Sequence, residues 1–261
     1  MNGTSPESGL FRLDLASKTY GAIPALAPMS LTIDKGETVA VVGHSGAGKT
    51  TLLHLLGGVT RPTGGETSLA GHMLADLSPG RELSRLVGVI HQKFDLVPQL
   101  SALHNVLSGH LGRWGLARSL VSLISPVDRD TARQALERVG LKDKLHERAF
   151  RRSEGEQQRV AIARLLVQYP DVIIADEPVA SLDPARSRDL MGLLSGIVQE
   201  SGKTLIASVH SAELVRAFFS RAIGLRSGEL VFDVRVEELT DDMLESVYEL
   251  QGLEGEPVGQ L

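Results

Sequence analysis

Thr38-Val39-Ala40-Val41-Val42-Gly43-His44-Ser45-Gly46-Ala47-Gly48-Lys49-Thr50 decides how the rest of this 261-residue chain is read. The first five residues read as a short buried strand, and the spacing Gly-x-x-x-x-Gly-Lys-Thr directly after it is the phosphate-binding P-loop pattern. In such a loop the glycines let backbone N–H groups turn inward onto phosphates, Lys49 reaches the terminal phosphates, and the Thr50 hydroxyl ligates Mg²⁺. The run Thr51-Leu52-Leu53-His54-Leu55-Leu56 is helical in pattern, so the positive end of its dipole faces the same anion. Gly43, His44, Ser45, Gly46, Ala47, Gly48, Lys49, Thr50 and Thr51 are the candidate contacts to a nucleoside triphosphate.

A P-loop alone suits kinases, GTPases and motor ATPases, and the second half of the chain separates them. Asp171-Val172-Ile173-Ile174-Ala175-Asp176-Glu177-Pro178 is an apolar strand ending in two adjacent carboxylates. Asp176, at the strand's carboxyl end, can serve the Mg²⁺ held by Thr50. Glu177, one residue further out, can accept a proton from an attacking water. A kinase would pass the phosphate to a bound hydroxyl instead, so this arrangement reads as a hydrolase.

The chain resembles the ATP-binding subunit of an ABC transporter over nearly everything from Leu13 to Leu239. Arg152-Ser153-Glu154-Gly155-Glu156-Gln157-Gln158-Arg159-Val160-Ala161-Ile162-Ala163-Arg164 is similar to the family's signature helix, which usually opens LSGGQ. Gln92 in Val89-Ile90-His91-Gln92-Lys93-Phe94 resembles the Q-loop, Ser181-Leu182-Asp183-Pro184 the D-loop, and His210 the switch histidine. Tyr20 fits the aromatic that stacks on adenine. The resemblance implies ATP and Mg²⁺ as cofactors, with Thr50, Asp176 and Gln92 serving the metal and Glu177, His210 and Gln92 the chemistry. It also implies a head-to-tail homodimer in which Ser153, Gly155 and Asp183 of one copy meet the nucleotide of the other. The implied fold is α/β: a P-loop NTPase of the ABC ATPase type, with a RecA-like core, an N-terminal antiparallel β part and an inserted α-helical subdomain.

The signature departs from the family pattern at three places, with Arg152, Glu154 and Glu156 standing where Leu, Gly and Gln are usual. Ser153 followed three residues later by Glu156 is also a capping box, which would start a helix running to Tyr169 ahead of Pro170. Glu154 would be costly if a left-handed backbone were needed there, and it brings a carboxylate toward a polyanion. Weaker closure on ATP is the expectation. A nucleotide-switched binding module with weak hydrolysis, and an exporter-type or non-transport ATPase, stay open beside the transport reading.

Composition agrees with one α/β domain carrying a helical insertion: 42% of residues are hydrophobic, enough for a full core. The expected organisation is a disordered N-terminus over 1–10, an ATPase domain over 11–240 with its helical subdomain at about 93–159, and a C-terminal helix with a loose tail over 241–261. Strands are expected at Val39–Val42, Val87–Ile90, Val172–Ala175 and Thr204–Ser208, with an antiparallel part at Leu13–Leu15, Met29–Ile33 and Glu66–Leu69. A net charge of −5 without a basic stripe argues against nucleic acid as a partner. Neither a signal peptide nor a run of the ~20 apolar residues a membrane span needs is present, and the chain has no cysteine.

The segment between Gln92 and the signature is rich in apolar groups, including Leu96, Val97, Leu111, Leu116, Leu120, Val121 and the lone Trp114. Exposed apolar groups there would form a docking surface for an integral membrane permease, placing the chain peripherally on the cytoplasmic face of the inner membrane, with the lobe's own helical core as the alternative place for any one of them. Val106-Leu107-Ser108-Gly109, Arg118-Ser119-Leu120 and Ala175–Pro184 resemble the ATPase subunits of phosphonate importers. That likeness implies an extracytoplasmic solute-binding protein as an indirect partner, and phosphonate or a related phosphorus oxyanion as the solute.

Overall fold

The computed structural model describes residues 9–78, 80–91, 94–124, 126–149 and 153–248. Its framework is a six-stranded sheet built on the short apolar runs of the sequence. β3 (Thr38–Val42), β6 (Val87–Ile90), β7 (Val172–Ala175) and β8 (Thr204–Ser208) run parallel and are buried almost throughout. Side chains alternate across such strands, so each supplies both faces of the sheet. Ala40, Val42, Ile173 and Ala207 enter one hydrophobic cluster, and Val39, Val41, Ile174 and Ile206 enter the other.

β9 (Arg221–Arg226) and β10 (Glu229–Arg235) complete the sheet in the order β10-β9-β3-β8-β7-β6. They form a hairpin turned by Ser227 and Gly228, both with positive φ, the two-residue turn that matches strand twist. The second sheet is antiparallel, with β2 (Ile23–Ile33), β1 (Phe11–Tyr20), β4 (Gly64–Leu69) and β5 (His72–Met73) side by side. The antiparallel segments expected from sequence lie within β1, β2 and β4. Leu10 is already part of the packing: its carbonyl accepts the Ala70 N–H at 2.7 Å.

Helix α1 (Lys49–Leu56) is wedged between the two sheets, with Leu52, Leu53, Leu55 and Leu56 buried in the cluster they share. A short α2 (Leu83–Leu86) feeds β6. Then come α3 (Ala102–Leu107), α4 (Leu116–Ile124) and α5 (Arg129–Arg138), and the long α6 (Glu154–Gln168) returns the chain to β7. α7 (Pro184–Ser201), α8 (Ala212–Phe218) and α9 (Asp241–Tyr248) add buried residues to the cluster that holds Ala40, Val42, Ile173 and Ala207.

The helical lobe corrects one expectation. Trp114 is buried, not part of a docking surface; His110 stacks on its ring at 4.7 Å between centroids, and the Arg118 guanidinium lies 4.8 Å from the ring centre. A large ring in a small lobe removes more apolar area from water inside than any other side chain could. The exposed apolar groups are Val97, Leu111, Leu116, Leu120 and Val121, three of them on α4. Among the described residues no helix is long and apolar enough to cross a membrane.

Candidate nucleotide site

The P-loop joins β3 to α1 through Gly43, Gly46 and Gly48, which have φ values of 148°, 83° and 101°. Two of these positions exclude a side chain outright. A Cβ on Gly43 would fall 2.2 Å from the Leu225 carbonyl oxygen, and one on Gly48 would fall 2.8 Å from the Ala25 carbonyl oxygen. Gly48 is also the N-cap of α1 and contributes no capping side chain, so the first N–H groups of that helix stay open to an anion.

Lys49 is buried at 5% exposure and folds back on the loop, its Nζ donating to the Gly43 carbonyl at 2.8 Å and the His44 carbonyl at 3.0 Å. Burial holds its pKa below the usual lysine value, and the Glu177 and Asp176 carboxylates oppose that shift. A buried ammonium held by two neutral carbonyls, with open N–H groups beside it, fits a bound polyphosphate. Mg²⁺ fits too, since Thr50 and Asp176 supply the hard oxygen atoms it takes alongside phosphate oxygens.

The carboxylates come from the end of β7. The Asp176 N–H donates to the Ile90 carbonyl at 2.9 Å, extending the pairing with β6, and its side chain is nearly buried. Glu177 then turns sharply, with φ at 49°, a left-handed conformation uncommon for a residue with a side chain. Ser208, the last residue of β8, is fully buried and touches both: its Oγ donates to Asp176 Oδ1 at 2.7 Å and accepts the Glu177 N–H at 2.7 Å. His210 Nε2 lies 2.7 Å from Glu177 Oε1. β8 therefore brings Asp176, Glu177 and His210 together, and β8 is also the neighbour of β3, opposing Ser208 to Val41 at the mouth of the P-loop. Below them on α1, burial pushes the His54 pKa below its usual value, with Asp176 pulling the other way. Sequence reading missed Ser208; the available signal was a hydroxyl ending an otherwise apolar strand two residues before His210.

Other expected residues fall into two groups. Tyr20 closes β1 half exposed, with Lys18 Nζ 5.1 Å above its ring, on the β1–β2 hairpin whose Ala25 touches Gly48. Ser153 and Gly155 instead line a recess with Leu182, Arg186 and Asp189, which shares Leu182 with the one around Glu177 and His210. The capping box at the start of α6 is formed: Ser153 Oγ accepts the Glu156 N–H, and Glu156 Oε2 accepts the Ser153 N–H. Glu154 is exposed within that helix and has no positive φ, so the replacement of glycine causes no backbone strain. Glu156 also pairs with Lys144. Asp183 caps α7, its Oδ1 accepting the Arg186 N–H at 3.1 Å. Gln92 and Arg152 lie outside the described residues.

A P-loop on a parallel sheet, with a histidine one strand away and paired carboxylates two strands away, defines a nucleotide-binding cassette. The chain belongs to the ABC transporter family, whose profile matches residues 26–180, as one of its ATP-binding subunits. Among its relatives is the phosphonates import ATP-binding protein PhnC of Pseudomonas entomophila, 42% identical over 249 residues spanning 95% of this chain and 94% of that protein. The protein of the same name from Shouchella clausii is 43% identical over 248 residues, 94% of this chain and 93% of its own length. Of solved structures, a dimeric post-hydrolysis state of the ATP-binding cassette MJ0796, bound to ADP and Pi, is similar with a TM-score of 0.74 and 31% identity, over 88% of this chain and all of that one.

Proposed function

We propose that this chain is the ATP-hydrolysing subunit of an importer for phosphonate or a related phosphorus oxyanion, acting as a homodimer beneath a membrane permease. The observation that carries hydrolysis is the 2.7 Å pairing of Glu177 with His210 at a strand end within electrostatic reach of Lys49. Glu177 takes the proton of the attacking water, and His210 orients that carboxylate. Lys49 exchanges its two carbonyl partners for phosphate oxygens, and the open N–H groups at the start of α1 line the rest of the phosphate path. Thr50, Asp176 and Gln92 would hold Mg²⁺, which when bound would neutralise charge on the transferring phosphate. Tyr20 offers a free ring face to adenine.

Ser153, Gly155 and Asp183 serve the nucleotide of a second copy, a reading supported by Ser153 and Gly155 lining a recess that contains neither Glu177 nor His210. Exposed Leu111, Leu116, Leu120 and Val121 support permease docking on the helical lobe, with the chain peripheral at the cytoplasmic face and a solute-binding protein as an indirect partner. The solute follows from the names of the relatives, since no residue of this chain need touch it. A second reading, a nucleotide switch with little turnover, draws on Glu154 and Glu156 in the first turn of α6. Phosphate release from Mg-ATP separates the two: wild type should hydrolyse, and Glu177→Gln should bind ATP without hydrolysing it. Binding with no release by wild type would favour the switch. Growth of a deletion strain on a phosphonate as sole phosphorus source, restored by wild type and not by Glu177→Gln, tests the solute.

A further inference from the structure

Helix α9 reaches into the nucleotide site from the end of the described chain. At its start Asp241 pairs with Arg216 of α8 at 2.7 Å, and further along Leu244 and Val247 are buried, Val247 completely. The last carbonyls of any helix lack partners within it. Here the Ser246 carbonyl accepts from Arg226 Nη1 at 2.9 Å, and the Val247 carbonyl accepts from the backbone N–H of His44, inside the P-loop, at 3.0 Å. The next residue, Tyr248, donates its hydroxyl to the carbonyl of His210 at 3.3 Å. Burial raises the Tyr248 pKa above its ordinary value while the Gly43 backbone opposes the shift, so the phenol stays a donor at neutral pH.

β3 and β8 are neighbours, and their ladder closes with the Val209 N–H on the Val41 carbonyl at 3.1 Å. Beyond that point the P-loop and the His210 turn leave the sheet, and α9 ties one to the other. We propose that Val247 and Tyr248 form a strap that fixes the spacing between the P-loop and the His210 turn, with Tyr248 a positioning residue acting through His210 on Glu177. His210 meets Glu177 at 2.7 Å, and a small shift of the His210 backbone would misaim the pair relative to phosphates held by Lys49.

The proposal rests on the hydrolytic reading above, and Tyr248→Phe tests it separately. That variant removes one oxygen and keeps the packing. Its kcat should fall about three- to tenfold with KM for ATP unchanged, a transition-state loss of about 0.6–1.4 kcal/mol. In a His210→Ala background the same change should produce no further loss. A purely structural role would lower the melting temperature and leave kcat per folded molecule intact. Unchanged kcat in Tyr248→Phe, or an equal further loss in the His210→Ala background, overturns the proposal while leaving wild-type hydrolysis untouched. Should wild type release no phosphate, amide exchange of the full chain still decides on the strap. The His44 amide should be protected together with the amides of α9, and a freely exchanging His44 beside a protected α9 would refute it.

Discussion

Ser208→Ala probes the hydroxyl on which both carboxylates depend. Ser208 Oγ makes two bonds of 2.7 Å, one to Asp176 Oδ1 and one from the Glu177 N–H, at a position with no exposure to water. A hydrogen bond to a charged group contributes ~1.5–3 kcal/mol and a neutral one about 1 kcal/mol, so the direct loss is about 2.5–4 kcal/mol. Part returns when Glu177 relaxes from its left-handed φ, a conformation that costs a side-chain-bearing residue about 1–2 kcal/mol. The net destabilisation is then about 0.5–3 kcal/mol, a fall in melting temperature of about 1–12 °C for a chain of this size. Activity should suffer more than stability, because the relaxation that recovers free energy also carries the Glu177 carboxylate away from His210. We expect kcat to fall at least tenfold, about 1.4 kcal/mol, with KM for ATP nearly constant. Steady-state phosphate release measured well below the melting transition is the assay. Ser208→Thr keeps the hydroxyl and should recover most of kcat, even where the added methyl costs stability in a filled core. If Ser208→Ala works within twofold of wild type, Ser208 is packing and does not position Glu177.

Three further changes have stated directions. Glu154→Gly should raise steady-state ATPase: a carboxylate about 6 Å from a phosphate charge costs up to ~3 kcal/mol at an effective dielectric near 20, before counter-charges reduce it. Unchanged or lower activity would remove Glu154 from the account. Trp114→Ala should lower the melting temperature, since deleting a buried aromatic costs ~3–5 kcal/mol; an unaltered melt with lost transport would return Trp114 to the docking surface. His54 and His110 are both held below the ordinary value of 6.5, chiefly by burial. The unfolded chain therefore binds more protons than the folded one in acid, and stability should drop as pH falls from 7 through 6.5, with the penalty fully developed below the folded-state pKa values. His54→Gln should flatten that decline in denaturant titrations, and an identical profile would show that His54 does not contribute to it.

The strands were legible because short apolar runs bounded by turn residues have few other uses, and the P-loop because only glycine tolerates the approach of the Leu225 and Ala25 carbonyls. The β9–β10 hairpin carried a readable signal in Ser227-Gly228 that the apolar-run reading passed over. Trp114 was misplaced for a different reason. Counting apolar residues in the lobe shows that some must face water without showing which, and the ring's volume, stacked on His110, settles the choice.

The contacts that tie the site together are of a kind a sequence hardly encodes. Val247 meets His44 backbone to backbone, Tyr248 meets a carbonyl, and the Glu177 main chain leans on Ser208. Residue identity constrains the first of these contacts weakly, because any residue at position 247 or 44 other than proline at 44 brings the same carbonyl or N–H, and a lone hydroxyl such as that of Tyr248 or Ser208 belongs to no motif. The side chains that would touch phosphate and water sit in motifs and announce themselves. The groups that set the distances between those motifs are backbone atoms brought together by the packing of Val247 and by the order β3-β8-β7. A substitution at 247 that keeps the helix but loses the buried isopropyl group should therefore disturb a P-loop nearly two hundred positions away in the chain, through a hydrogen bond that no motif contains.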